Sequence, residues 1–187
     1  MAGRPMARNK YVRDYRLLES IDERGRIQVA SEYIGRYYEF AADAGTVAAE
    51  KKRLLALCAA AWAAFVGAML PISGAMRTFY VSLPYVFSAL PLGMLTALAL
   101  AIPADGRLME HRTADRIENS LPPRALFTAL LPGAALLAQL ARLLVTRTGL
   151  WPGDAVFCLG AAAVSALGAA AFSRRKKLAV RATDARP

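Results

Sequence analysis

Few side chains in this chain could do chemistry, and they are scattered. The single histidine, His111, stands beside Glu110 and Asp115 in a hydrophilic segment, and the two cysteines, Cys58 and Cys158, fall in separate apolar stretches. A metal site needs a cluster of such ligands, and a serine or cysteine nucleophile needs a nearby base. We therefore expect a solvated His111, two unpaired packing cysteines, no metal, no cofactor and no catalytic residue. We predict that the protein is not an enzyme.

The elements that position the remaining polar groups are four stretches without Asp, Glu, His, Lys or Arg, which together make up almost half of the chain: 54–76, 78–104, 125–141 and 155–173. About 20 helical residues cross a hydrocarbon core about 30 Å thick. The third stretch is short, so we expect Arg142 to snorkel outward and the helix to continue. The predicted spans are about 54–74, 79–102, 125–145 and 154–173, and a cytoplasmic loop, 103–124, joins the second span to the third. A short interfacial helix is expected within that loop.

The net charge of +10 is distributed according to the predicted spans. Residues 1–53 carry 11 Lys and Arg, 103–124 carry four and 174–187 carry six, whereas the other two connections hold only Arg77, Arg142 and Arg147. This alternation follows the positive-inside rule. We predict a multi-pass protein of the cell membrane with both termini cytoplasmic, and we expect no nucleic-acid partner. The composition, rich in Ala and Arg, is compatible with a GC-rich bacterium.

The hydrophilic N-terminus divides into three parts. Residues 1–10 are basic, lack an apolar pattern and are expected to be disordered. Gly25 suits a tight turn, and the alternation of residues 26–31 after it predicts a β-hairpin, although 16–21 could instead form a short helix. Residues 41–53 are helix formers and should run directly into the first span. The predicted fold is an all-α integral membrane protein: a four-transmembrane-helix bundle with a small N-terminal cytoplasmic α/β segment (hairpin plus helix, residues 11–53).

Polar and proline residues within the spans are the candidate bundle-facing positions. In the second span four of them recur at i, i+4, i+8 and i+11, and each proline frees a backbone carbonyl that needs a partner in lipid. The third span repeats the pattern near its own proline. We expect a packed, kinked helix, or a hinge or groove wall, at these positions: Tyr80, Pro84, Ser88, Pro91, Thr128, Pro132 and Gln139.

Rows of small residues in the first and fourth spans predict close helix packing, within the chain or across a homodimer. The candidate packing residues are Ala60, Ala64, Ala161, Ser165 and Ala169. Directly after the fourth span comes a basic run, expected to act as a stop-transfer anchor or to contact lipid headgroups. It comprises Arg174, Arg175, Lys176 and Lys177, the start of a basic cytoplasmic tail, 174–187.

Spans without acids or histidines favour assembly over catalysis or proton-coupled transport. The leading hypothesis is a non-catalytic accessory, scaffold or regulatory subunit of a membrane complex, with the lipid bilayer and a membrane protein as partners. The alternative hypothesis is a small oligomeric transporter or channel for a neutral or passively moving substrate, built around the proline-kinked second span and Gln139, in which substitutions of Ser88 or Gln139 should alter flux.

Overall fold

The computed structural model describes residues 14–21, 27–103, 108–147 and 149–183. Four of its helical segments are long and apolar enough to cross a membrane. The predicted disordered segment, 1–10, and the turn expected around Gly25 lie outside the described residues. The chain is mostly helical, and a small β-hairpin precedes the helices, as the sequence predicts.

The helices are α1 (Ala44–Met69), α2 (Phe79–Phe87), α3 (Ala89–Ala101), α4 (His111–Thr146) and α5 (Pro152–Ser173). The first helix is continuous from the hydrophilic segment into the first span. Asp43 caps its N-terminus by accepting hydrogen bonds from the backbone N and the Oγ1 of Thr46, at 2.9 and 2.6 Å, as expected for an N-cap aspartate.

Helix α4 differs from the sequence prediction, because the helix expected in the middle loop and the third span form one helix of 36 residues. It passes through Pro122 and Pro123 without a break. Each proline lacks a backbone donor, but the carbonyls that lose their partners belong to Glu118 and Asn119, which are exposed. Water can satisfy them there, so the proline pair does not end the helix.

Five short strands accompany the helices: β1 (Tyr15–Ile21), β2 (Ile27–Tyr33), β3 (Tyr37–Phe40), β4 (Met109–Glu110) and β5 (Val180–Thr183). Strands β1 and β2 form the predicted antiparallel hairpin, in which Tyr15 pairs with Tyr33. Strand β3 is the centre of a second antiparallel sheet, between β4 and β5. We call the hairpin and this three-stranded sheet together the sheet unit.

The sheet unit has two features that the sequence analysis did not describe. The basic segment after α5 is a 3-10 helix, Arg174–Leu178, followed by β5, and is therefore ordered structure over its described length. The predicted hairpin-and-helix segment also does not stand alone, because β3 pairs with strands from the middle and the end of the chain. These pairings join residues that are far apart in sequence, so no local sequence pattern predicts them.

Around the bundle, α1 lies between α3 and α5, and α4 lies between α5 and the α2–α3 pair. One end of the bundle gathers the start of α1 and the end of α5 beside the sheet unit, and we call it the Glu50 end. The opposite end gathers the 70–78 segment, the end of α4 and the start of α5, and we call it the Arg142 end. Large apolar side chains cover the outer surface, which suits a lipid environment better than water; examples are Leu90, Leu130, Leu137 and Leu159.

Candidate functional site

The centre of the bundle toward the Arg142 end is an aromatic cluster around Tyr85. Its ring stacks on Phe65 with centroids 4.9 Å apart, and Phe157 packs against it at the same distance. The Tyr85 hydroxyl donates a hydrogen bond to the backbone carbonyl of Phe65 at 3.1 Å. Three helices thus contribute to one buried contact, and its polar atom is satisfied within the protein.

The buried face of α2 and α3 is not the one expected from the prolines. Ser88 is fully buried, but Tyr80 is 58% exposed and lies on the outer surface, while Pro84 and Pro91 are half-buried. The residues that face inward are Val81, Tyr85, Ser88, Leu92 and Leu95. Their spacing of i, i+4, i+7, i+11 and i+14 is also a helical pattern, and composition does not distinguish this face from the one that carries the prolines.

The helical path of the second span is interrupted at Ser88, between α2 and α3. Pro91 leaves the carbonyl of Phe87 without its usual donor, so the break falls where the hydrogen-bond ladder is weakened. Ser88 itself stabilises the break, because its Oγ donates to the Tyr85 carbonyl at 2.6 Å and its backbone N reaches the same carbonyl at 3.0 Å.

The candidate residues of α4 all face the bundle interior: Thr128, Pro132 and Gln139 are buried. Pro132 leaves the carbonyl of Thr128 without its helical donor, and at the next residue Ser165 of α5 donates to the carbonyl of Ala129 at 2.8 Å. Ser165 therefore joins two helices by a polar contact as well as by its small size.

Glycines, rather than the predicted alanine rows, make the closest helix contacts. A methyl group added to Gly160 would collide with Ala68 and lie 3.1 Å from the carbonyl oxygen of Ala64 on α1. A methyl group on Gly168 would lie 2.7 Å from the backbone N of Ala129 on α4. Of the predicted packing residues, Ala161 is buried and Ala64 and Ser165 take part in these seams, whereas Ala60 and Ala169 are exposed.

The Arg142 end carries an ion pair that the sequence analysis did not predict. Arg142 donates through Nη2 to Asp154 at 3.3 Å and through Nε to Gln139 at 3.0 Å. The Arg142 side chain is 16% exposed, so it points into the protein and does not snorkel outward. Asp154 is buried within the first turn of α5 and also accepts from the backbone N of Ala75 at 3.3 Å. Asp154 therefore lies inside helix α5, directly before the uncharged stretch 155–173.

The Glu50 end holds a second buried acid, near the start of α1. Glu50 is 2% exposed and accepts hydrogen bonds from Arg174 at 2.8 and 3.1 Å, from Arg53 at 2.8 Å and from Lys177 at 3.4 Å. Arg174 and Lys177 thereby fasten the 3-10 helix after α5 to α1, and Arg53 adds a third positive charge from α1 itself. Of the residues expected to contact lipid headgroups, Arg174 and Lys177 are thus engaged within the protein. Arg175 lies over the ring of Phe172, with Cζ 3.7 Å from its centroid, and Lys176 is exposed.

His111 is not simply solvated. Its Nδ1 lies 3.0 Å from Oδ2 of Asp14, its ring stacks on Tyr38 at 5.4 Å, and its backbone N donates to the hydroxyl of Tyr33 at 2.9 Å. The start of α4 is thereby attached to the hairpin and to β3. Within the described parts of the chain, no group of three or more His, Cys, Asp or Glu residues is arranged to hold a metal ion.

A tyrosine–carboxylate hydrogen bond completes the attachment of the hairpin. The Tyr15 hydroxyl donates to Oε2 of Glu110, and this bond, with lesser contributions from burial and the Glu110 charge, raises the pKa of Tyr15 to about 12. Burial is the main cause that raises the pKa of Tyr33. Both hydroxyls thus stay protonated at neutral pH and hold the hairpin on the start of α4.

No protein-family model, curated protein or solved structure matches this chain.

Proposed function

We propose that the protein is a non-catalytic subunit of a membrane complex, an accessory, scaffold or regulatory component that presents the sheet unit to a partner protein in the cytoplasm. The observation that carries this proposal is the three-stranded sheet, in which β3 pairs with strands that come from the middle and the end of the chain. A pairing of three remote segments builds a defined surface at one end of four apolar helices.

The sheet unit is coupled to the bundle by a shared apolar core. Phe40 of β3, Met109 of β4 and Leu178 belong to the same buried cluster as Val47 and Leu54 of α1. Polar contacts add to this coupling, because the backbone N of His111, at the start of α4, donates to the hydroxyl of Tyr33 in the hairpin at 2.9 Å. A partner bound to the sheet unit would therefore be held in a fixed orientation relative to the spans.

Strand β5 offers a place where a partner could bind. Among the described residues it pairs on one side only, with β3, and Arg181 and Ala182 are exposed. Ala41 donates to the carbonyl of Ala179 at 2.9 Å, which makes these two a hydrogen-bonded pair. Because such pairs alternate along an antiparallel ladder, the N–H groups of Val180 and Ala182 point to the open edge. An extended segment of a partner can add a strand there.

The experiment is affinity purification of the full-length protein from membranes in mild detergent, followed by mass spectrometry. Ala182→Pro removes one N–H on the open edge while leaving the β3 ladder intact, and an edge position tolerates proline. Ala182→Val keeps the N–H and serves as the matched control. We expect a distinct membrane protein to co-purify with wild type and Ala182→Val, and to be reduced about tenfold with Ala182→Pro. Recovery of the protein alone in every case would refute the proposal.

The alternative function is a small oligomeric transporter or channel for a neutral or passively moving substrate. Ser88 and Gln139, the polar residues on which it rests, are both fully buried. Its test is flux in proteoliposomes, where Ser88→Ala or Gln139→Leu should alter the rate while the protein remains folded.

A further inference from the structure

A cavity of about 360 Å³ opens at the Arg142 end of the bundle, between the 70–78 segment and the start of α5. Its lining includes Ser73, Gly74, Arg77, Arg142, Trp151 and Asp154. This is the end that the charge pattern predicts to lie outside. Because four helical segments begin or end around it, the cavity lies at the depth of the lipid headgroups if the helices cross a bilayer.

The charges that line the cavity favour an anion. Two guanidinium groups, those of Arg77 and Arg142, face one carboxylate, that of Asp154, so the lining carries a net charge of +1. Asp154 neutralises Arg142, and none of the described residues forms an ion pair with the exposed Arg77. One guanidinium charge therefore remains uncompensated. A phosphodiester carries a single negative charge and accepts hydrogen bonds from guanidinium in a matched geometry.

Arg142 is held in place from behind by Gln139. Gln139 is fully buried and accepts a hydrogen bond from Nε of Arg142 through its Oε1 at 3.0 Å. It does not line the cavity, so it acts on the cavity only by positioning the Arg142 guanidinium.

The rim of the cavity is suited to a lipid. Trp151 is 72% exposed and Ile72 is 85% exposed, and both line the cavity. Tryptophan favours the headgroup layer because its ring is amphipathic, and exposed aliphatic residues nearby suit acyl chains: Leu70, Leu144, Val145 and Leu150. Apolar surface beside a cationic pocket matches a phospholipid better than a small soluble ion.

We propose that this pocket, hereafter the Arg142 pocket, binds the phosphodiester of an anionic phospholipid, with Arg77 as the main contact and Arg142, held by Asp154, as the second. Gly74 contributes to this pocket, because its lack of a side chain allows the guanidinium of Arg142 to lie directly against it. A methyl group added there would lie 2.6 Å from Nη1 and Nη2.

The test titrates the purified full-length protein in detergent with phosphatidylglycerol or with phosphatidylcholine of the same acyl chains, and counts bound lipid by native mass spectrometry. Arg77→Gln should weaken phosphatidylglycerol binding about fivefold, the factor expected for one basic residue near an anionic headgroup. Gly74→Ala should also weaken it, by displacing the Arg142 guanidinium without changing the charge. The matched controls are Arg147→Gln, a cation at the same end outside the lining, and Gly67→Ala, where a methyl group meets nothing within 4 Å.

The proposal would be supported if the protein prefers phosphatidylglycerol, if this preference depends on Arg77 and Gly74, and if it persists in millimolar inorganic phosphate. Equal binding of the two lipids would overturn it, as would an equal loss with Arg147→Gln. Stabilisation by inorganic phosphate alone through Arg77, without a lipid preference, would overturn it in favour of a soluble anion. Thermal unfolding of each variant separates loss of binding from loss of folding.

Discussion

Among the charged residues near the protein surface, Glu50 should be the one whose substitution lowers the free energy of unfolding most. Glu50→Gln tests this prediction. The substitution preserves the volume of the side chain but removes the charge that attracts Arg53, Arg174 and Lys177. In the wild type this carboxylate is 2% exposed and is the point at which the 3-10 helix after α5 is fastened to α1.

The magnitude follows from how exposed the partners are. A hydrogen bond to a charged group contributes about 1.5–3 kcal/mol. The side chains of Arg53 and Lys177 are 58% and 57% exposed and are hydrated when the charge of Glu50 is lost. Each therefore contributes little to the decrease in the free energy of unfolding. Arg174, at 32% exposure and 2.8 Å, carries most of the effect. We therefore expect Glu50→Gln to lower the free energy of unfolding by about 2 kcal/mol, or about 4–8 °C in Tm for a chain of this size.

The assay is thermal unfolding in detergent together with amide hydrogen exchange over residues 174–183. Glu39→Gln is the matched control, because Glu39 also pairs with an arginine, Arg181, at 2.9 Å, but their side chains are 34% and 65% exposed. An exposed pair of this kind contributes less than about 1 kcal/mol. Exchange should accelerate at residues 174–183 in Glu50→Gln. Equal Tm values for the two variants, with unchanged exchange, would refute the reasoning.

Two further predictions concern helix packing and pH. Gly168→Ala should lower the free energy of unfolding by about 1–3 kcal/mol, because the methyl group meets the backbone of α4, whereas Gly67→Ala should not; detergent melts of both variants check this. The pKa of Tyr15, raised to about 12 by its bond to Glu110, predicts that docking of the hairpin is constant below about pH 10 and weakens as the pH rises from 10 to 12, where unfolded tyrosine is already ionised. Tyrosinate absorbance should show that Tyr15→Phe removes one of the late-ionising tyrosines.

The elements with a local signature were predictable from the sequence. Four apolar stretches define four helices, because length and hydrophobicity are properties of a single segment. The hairpin of β1 and β2 is similarly local, since its strands lie on either side of one turn. Strand β5 has no such signature, because it is four residues long and its partner, β3, lies some 140 positions earlier in the chain.

The rotation of each helix was harder to predict than its position. In a soluble helix the polar face identifies the exposed side, but lipid-facing residues are as apolar as buried ones. Tyr80 and Tyr85 therefore look equivalent in the sequence, although one is exposed and the other fully buried. Arg142 and Asp154 were missed for a related reason. Each stands at the edge of an apolar stretch, and only the folded arrangement turns both side chains inward.

Helix α5 links the Glu50 end and the Arg142 end of the bundle. Substitutions in α5 should therefore affect the protein differently from substitutions in the other helices. Its glycines allow close approach of α1 through Gly160 and of α4 through Gly168. Asp154 ties its first turn to Arg142 of α4, and Arg174, directly after its last residue, ties the other end to Glu50 of α1. Substitutions on the buried face of α5 should therefore disturb the sheet unit and the Arg142 pocket together, whereas substitutions on the exposed side of α2 should leave both in place.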